Sequence, residues 1–251
     1  MIATALLALA AIAAPEAQQG VAVDAQSLYA ISSSGIARYD RRTQRKVAQW
    51  QGDPRRFPHL NSCAVVAAEL ICAASNYPAV PMASRIEIFD AQTLEHRRSH
   101  ALGRQFGSLT ALDWHDGAWW AVFANYDGKG GEKGRNHRAT VLVRMDSAFR
   151  PADSWLFPQA VLARFAPRSC SGVTWGADGL LYASGHDRAE VYALRLPTSG
   201  SVLDHVATLA MPTAGQAIDW DPEARILWSI DRAGRRLVGT HLPDVKGKAA
   251  D

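Results

Sequence analysis

The chain is short of the patterns that carry most familiar chemistries. It has no Cys-x-x-Cys pair and no Asp-rich calcium loop, so the common zinc-ribbon and EF-hand sites are excluded. It has no Gly-x-Ser-x-Gly elbow and no phosphate loop, which removes the hydrolase and nucleotide signatures. Lys129-Gly130-Gly131-Glu132-Lys133-Gly134 is Gly-rich, but no helix pattern follows it; it reads as a mobile loop over a cavity mouth. Charge of one sign is also lacking: 27 Lys and Arg against 24 Asp and Glu leave a net +3, with acids between the bases. Arg41-Arg42 and Arg55-Arg56 therefore read as solvated turns, and no nucleic-acid partner is expected. The longest apolar run, Ile2 to Ala14, is too short to span a membrane. Helical periodicity is nearly absent after residue 20, except for a turn or two over Gln159 to Phe165.

What is present is a degenerate repeat, seen five times. A small or polar step opens an apolar strand at Gln19-Gly20, Asn61-Ser62, Gly107-Ser108, Ser171-Gly172 and Gly215-Gln216. From Gly20, Ser62, Ser108, Gly172 and Gln216 the spacings are 42, 46, 64 and 44 residues. The long third interval holds the loop Asp127 to Arg138 and a connector through Pro158 and Pro167. Within the first unit, strands are expected over 20–24, 27–32, 36–40 and 46–50. The second repeats them over 62–66, 69–74, 85–89 and 97–102. A recurring third strand is visible at Ile36-Ala-Arg-Tyr-Asp40, Ile86-Glu-Ile-Phe-Asp90, Leu142-Val-Arg-Met-Asp146 and Val191-Tyr-Ala-Leu-Arg195. Period-2 alternation marks each as strand. Four strands in about 45 residues fit a propeller blade. The expectation is an all-β propeller of five four-stranded antiparallel blades, or six if the long unit hides another. An irregular sandwich is the alternative, but a sandwich does not require the unit to recur.

The expected divisions are an export signal over 1–14, a propeller over 15–243 and a disordered tail over 244–251. Ala8-Leu9-Ala10 and Ala11-Ile12-Ala13 resemble cleavage sites, although only the terminal amine supplies positive charge. The other reading keeps the segment as an N-terminal strand. It has a structural attraction, because the fifth unit shows three strands and needs a fourth. Cys63 and Cys72 lie on consecutive strands; with Ala67-Ala68 at the turn they face each other in a non-hydrogen-bonded pair, about 4.5 Å apart at Cα. A disulfide there, with export, places the protein in the periplasm or outside the cell. The alternative is a pair of small buried thiols. Cys170 remains, as a reactive thiol or a buried one.

In a propeller the inner-strand starts and second-strand ends converge at one channel mouth. That brings together His59, Asn61, Asn76, Tyr77, Asn125, Tyr126, His186, Asp187, Arg188, Gln216, Asp219, Asp231 and Arg232. Turn chemistry explains Asn, Asp and Ser, but not His186, Tyr77, Tyr126 and Arg188. His186 and His59 are the candidate acid/bases, with Asp187 orienting His186. Arg188 and Arg232 are candidates for holding a carboxylate. Asn61, Asn76, Tyr77, Asn125, Tyr126 and Gln216 supply further polar contacts. The plainer reading of His186-Asp187-Arg188 is a loop with a local ion pair. No metal or other cofactor is assigned, although Asn61, Asn76, Asn125 and Asp231 carry the oxygens a channel calcium ion would need.

Leu28-Tyr-Ala-Ile31 and Leu180-Leu-Tyr-Ala-Ser184 resemble exported bacterial propellers of the lactonase and YVTN-like group. Phe57 to Cys63, Ser75 to Pro78, His115 to Trp120, Phe123 to Gly128 and Trp175 to Tyr182 resemble short bacterial propellers labelled cycloisomerase. The resemblance spans most of residues 20–243. It implies non-redox opening or closing of a lactone ring on a small carboxylate, by a monomer. The competing function is a non-catalytic ligand-binding or protein-docking propeller. A narrow pocket with a perturbed His beside an Arg favours the enzyme; a shallow mouth without an oriented acid/base favours the binder.

Overall fold

A computed structural model describes residues 8–245. The strands are β1 (Ala8–Ala13), β2 (Gly20–Val23), β3 (Ser27–Ser32), β4 (Gly35–Asp40), β5 (Lys46–Gln51), β6 (Leu60–Val66), β7 (Glu69–Ser75), β8 (Ser84–Asp90), β9 (His96–Gly103) and β10 (Ser108–His115). They continue with β11 (Ala118–Ala124), β12 (Val141–Met145), β13 (Pro151–Leu156), helix α1 (Gln159–Phe165), β14 (Gly172–Trp175), β15 (Leu181–Ser184), β16 (Glu190–Arg195), β17 (Asp204–Ala210), β18 (Asp219–Asp221), β19 (Ile226–Asp231) and β20 (Arg236–Thr240).

These strands make five four-stranded antiparallel sheets. Four are consecutive meanders: β2–β5, β6–β9, β10–β13 and β14–β17. The fifth has the order β1-β20-β19-β18. The inner strands β2, β6, β10, β14 and β18 touch in that order, and β18 returns to β2, closing a ring. The protein is a five-bladed β-propeller. No sixth blade is hidden in the long third unit; its extra length is the 127–138 loop, the connector and α1.

Alternation places one face of each strand against each neighbouring blade. In β3 and β15 the Leu-Tyr-Ala segment does this twice over. Tyr29 and Tyr182 are fully buried, and each hydroxyl donates to an Asp of the preceding turn, Asp24 at 2.7 Å and Asp178 at 2.6 Å. An unpaired buried hydroxyl would cost about 1–3 kcal/mol, so the Asp is as much a part of the blade signature as the Tyr.

The inner strands are also tied to one another. Ser62 Oγ accepts from Leu112 N, Asp113 Oδ2 from Trp175 N, Thr174 Oγ1 from Trp220 N, and Asp219 Oδ2 from Val23 N, at 2.8–3.1 Å. Four of the five blade junctions thus carry a side-chain acceptor for a backbone N–H that sheet pairing leaves open.

Ala8–Ala13 complete the fifth blade by pairing with Arg236–Thr240. Ile12 is buried there with Val21, Trp228 and Leu237. The described propeller therefore begins before residue 15. Residues 1–7 of the expected export signal lie outside the described residues, as do 246–251 of the expected tail. Asp244 and Val245 are described, and Val245 packs against the cluster between blades four and five. Cys63 and Cys72 are register partners and form a disulfide with Cα atoms 4.0 Å apart.

Candidate functional site

The five inner-strand starts meet at what we term the upper mouth. A cavity of about 230 Å3 lies there, lined by Gln19, His59, Asn61, Tyr77, Thr110, Tyr126, Arg168, Ser169, Ser171, His186, Gln216 and Arg232. Of the residues expected at the site, His59, Asn61, Tyr77, Tyr126, His186, Gln216 and Arg232 converge here. The lining holds two guanidinium groups and no carboxylate, so the pocket is built for negative charge.

His59 stands just before β6, half-buried against Tyr77, whose ring centroid lies 5.0 Å away. Burial, with the charges of Arg232 and His186 adding, lowers its pKa from 6.5 to about 4. His59 is a neutral imidazole at pH 7. Tyr77 packs on Tyr126 at 5.1 Å, and its hydroxyl accepts from Arg168 Nη1 at 3.2 Å. Burial pushes Tyr126 up to about 12, so it stays a hydrogen-bond donor.

His186 lies in the loop after β15. Its Nδ1 is 2.5 Å from Asp187 Oδ1, and its Nε2 is 3.4 Å from Arg232 Nη1. A guanidinium can only donate, so Nε2 is the acceptor and Nδ1 carries the proton toward Asp187. That is the tautomer of a general base. The loop is clamped from blade five: Gly215 N donates to Arg188 O and Gln216 N to Gly185 O. Gly215 has φ of +50°, and a Cβ there would sit 2.1 Å from His186 O; only glycine fits.

Several expected residues are placed elsewhere. Arg188 is exposed and does not line the pocket; the strand direction after His186 carries it outward. The pocket's second guanidinium is that of Arg168, in the connector between α1 and β14. Asn76 holds its own loop, donating to Pro81 O and accepting from Ala83 N. Asn125 is buried beneath the mouth and donates to Phe106 O and Ala139 O. Asp187 touches the pocket through His186. Asp231 is bound to Arg236, and of the four residues suggested for a calcium ion only Asn61 lines the inner pocket. Cys170 is buried, and burial pushes its thiol up to about 12; it is a structural thiol. His96 and His100, four apart, lie on strand β9 rather than a helix. His96 Nε2 binds the buried Glu87 at 2.9 Å.

The 127–138 loop covers part of the mouth. Gly130 packs against the Tyr77 ring, where a Cβ would come within 2.5 Å. The loop is held by Glu132 accepting from Met82 N, by His137 Nδ1 on Asp127 Oδ1 at 2.6 Å, and by Arg135 donating to Gln105 O at 3.0 Å.

A larger cavity, about 470 Å3, lies at the opposite end of the ring beside Asp24, Asp113, Trp114, Asp219, Trp220 and Asp221. Its aspartates are engaged in the fold: Asp113 and Asp219 join blades, Asp221 pairs with Arg41, and Asp24 holds Tyr29; Glu223, also in the lining, is exposed. That cavity exceeds the inner pocket in size, but the His and Arg side chains are at the upper mouth.

Fold and mouth together define a five-bladed β-propeller with a small cationic pocket that holds an oriented His–Asp pair. No protein-family model and no curated protein matches the chain. Among solved structures it is similar to the PQQ-bound aldose sugar dehydrogenase of Streptomyces coelicolor, at 16% identity over 98% of this chain and 84% of that one, TM-score 0.57. It is also similar to glutaminyl cyclase of Myxococcus xanthus, at 10% identity over 95% and 98%, TM-score 0.62. A luciferin-regenerating enzyme matches at 11% identity over 96% and 97%, TM-score 0.59. These neighbours are β-propeller enzymes, and at such identities the likeness is to the fold.

Proposed function

We propose that the upper mouth binds a small carboxylate and acts on it without redox, opening or closing a lactone ring. The observation that carries this is that Arg168, Arg232 and His186 line one pocket whose lining contains no carboxylate, while Asp187 holds His186 from outside it. Arg232 occupies His186 Nε2 in the free protein. A ligand carboxylate competes for that guanidinium, and binding then frees Nε2 to take a proton. The substrate anchors itself and uncovers the base in one step.

In ring opening by water, His186 Nε2 takes a proton from the water as its oxygen attacks the lactone carbonyl. Negative charge grows on the carbonyl oxygen, within a pocket whose donors are Tyr126 and Arg168. His186 then returns its proton to the leaving alkoxide. In an isomerising closure, the carboxylate oxygen adds to a conjugated double bond, and the carbanion formed at the adjacent carbon takes a proton from His186 Nε2, which is replenished from solvent. His59, neutral and poorly solvated, is suited to hydrogen bonding rather than to holding charge. The Myxococcus neighbour is named for a ring-closing reaction; the reading here rests on this pocket's own residues. The oriented His186–Asp187 pair beside Arg232 supports the enzyme over the plain binder.

Titration calorimetry with small dienoic diacids and lactone acids tests binding, and NMR of the same mixtures tests turnover. Arg232→Ala and Arg168→Ala should each weaken binding at least tenfold. His186→Ala should retain binding and lose turnover by about 10²–10⁴-fold. Binding that ignores both arginines overturns the proposal.

The Cys63–Cys72 disulfide supports an oxidising compartment, and we propose that the protein works outside the reducing cytosol. Among the described residues no helix is long and apolar enough to cross a membrane.

A further inference from the structure

The upper mouth has two compartments with one shared wall. Outside the inner pocket lies an open cavity of about 480 Å3, bordered by Gln18, Asp187, Asp231 and Arg235. His186 and Arg232 line both cavities. The inner compartment, at about 230 Å3, falls below the ~300–1,000 Å3 usual for small-molecule sites. Inner and outer together reach that range.

The two compartments differ in chemistry. The inner one offers guanidinium groups and no acid. The outer one mixes acids with a base. Asp187 is half exposed, and only Oδ1 is engaged, by His186. Arg235 borders the cavity and donates from Nη1 to Pro15 O at 3.1 Å; among the described residues its other N–H groups have no partner. Asp231 accepts from Gly234 N and Arg236 and is already satisfied. The outer cavity thus has both a carboxylate oxygen and a guanidinium edge in its lining, the acceptor and the donor that the N–H and C=O groups of an amide-bearing chain need.

We propose that the ligand is an elongated acid rather than a compact one. Its carboxylate enters the inner pocket, and a tail bearing amide groups leaves past His186, its N–H at Asp187 and its C=O at Arg235. This rests on the carboxylate reading of the inner pocket. It adds a chemical class, acids with an amidated tail, and makes Arg235 the residue that selects for length.

The test compares N-acetylglycine with N-acetyl-triglycine by calorimetry, on wild type, Arg235→Ala, Asp187→Asn and Arg232→Ala. The longer acid should bind wild type at least tenfold more tightly. Arg235→Ala should cut that advantage below about threefold while leaving N-acetylglycine unchanged, and Asp187→Asn should cut it as well. Arg232→Ala should weaken both acids equally. Melting temperatures of the variants within a few degrees of wild type establish that the fold is kept; Arg235 is exposed. Equal affinity for both acids, or an advantage that survives both tail-side substitutions, overturns the elongated-ligand proposal and leaves the inner pocket standing. If neither acid binds, the carboxylate reading falls, and this proposal with it.

Discussion

His59 is the residue whose environment is easiest to interrogate. Folding lowers its pKa from 6.5 to about 4 by burial and by its cationic neighbours. The unfolded chain therefore binds more protons between those values. Stability should fall as pH drops from about 6.5 to about 4, by about 3 kcal/mol at most. Histidine NMR should place the midpoint near 4, Arg232→Ala should raise it, and a bound carboxylate should raise it further. A midpoint above 6 in the free protein would contradict the described burial. Gly215 offers a second test at this scale. Gly215→Ala sets a Cβ against His186 O at a φ that side chains resist, so it should impair ligand binding more than it lowers melting temperature. The repeat made His59, His186 and Arg232 visible in the sequence, because each sits at a strand start or end. Arg168 was not visible in that way. It stands in the connector four residues ahead of Gly172, outside the strands; attention to residues just ahead of each opening, where His59 also lies, would have found it. Arg188 misled because it shares a loop with His186, and sequence adjacency does not tell which way a loop residue points.

At the scale of the strand, the blades were legible because hydrophobic alternation and turn residues coincide. The Asp219 side chain was not. It was expected at the upper mouth, but it lies on β18 at the opposite end of the ring, where it accepts from Val23 N and joins blade five to blade one. Burial and the nearby Asp113 raise its pKa well above the ordinary carboxylate value. A raised carboxyl contributes stability that is complete below about 3.8 and is lost as pH rises through its folded value. Asp219→Asn should keep one acceptor for Val23 N, cost less than about 1 kcal/mol near neutrality, and flatten that pH dependence. Asp219→Leu leaves Val23 N unpaired and should cost about 1–3 kcal/mol. Urea unfolding between pH 4 and 8 distinguishes them; equal losses for both variants would mean that the tie is not the side chain's contribution.

At the scale of the ring, closure depends on a segment whose sequence reads first as an export signal, with an N-terminal strand as the alternative. Composition could not separate the two; the three-stranded fifth unit pointed to the strand. Removing residues 1–13 exposes the β20 edge and loses the burial of Ile12, worth about 1.5–3 kcal/mol by itself. The truncated protein should melt lower and less cooperatively, and a peptide of residues 8–14 added in trans should restore part of the loss. The ring also gives the molecule two mouths of different lining, one with Arg168 and Arg232, the other with acidic side chains that include Asp24, Asp221 and Glu223. The central claim is that ligand chemistry belongs to the first. Its most direct measurement is an NMR titration of the intact protein with a small carboxylate, following histidine imidazole and tryptophan indole signals together. The account predicts saturable shifts at His59 and His186, with the Trp114 and Trp220 indoles unmoved. Shifts confined to those two indoles, with the histidines silent, would contradict it.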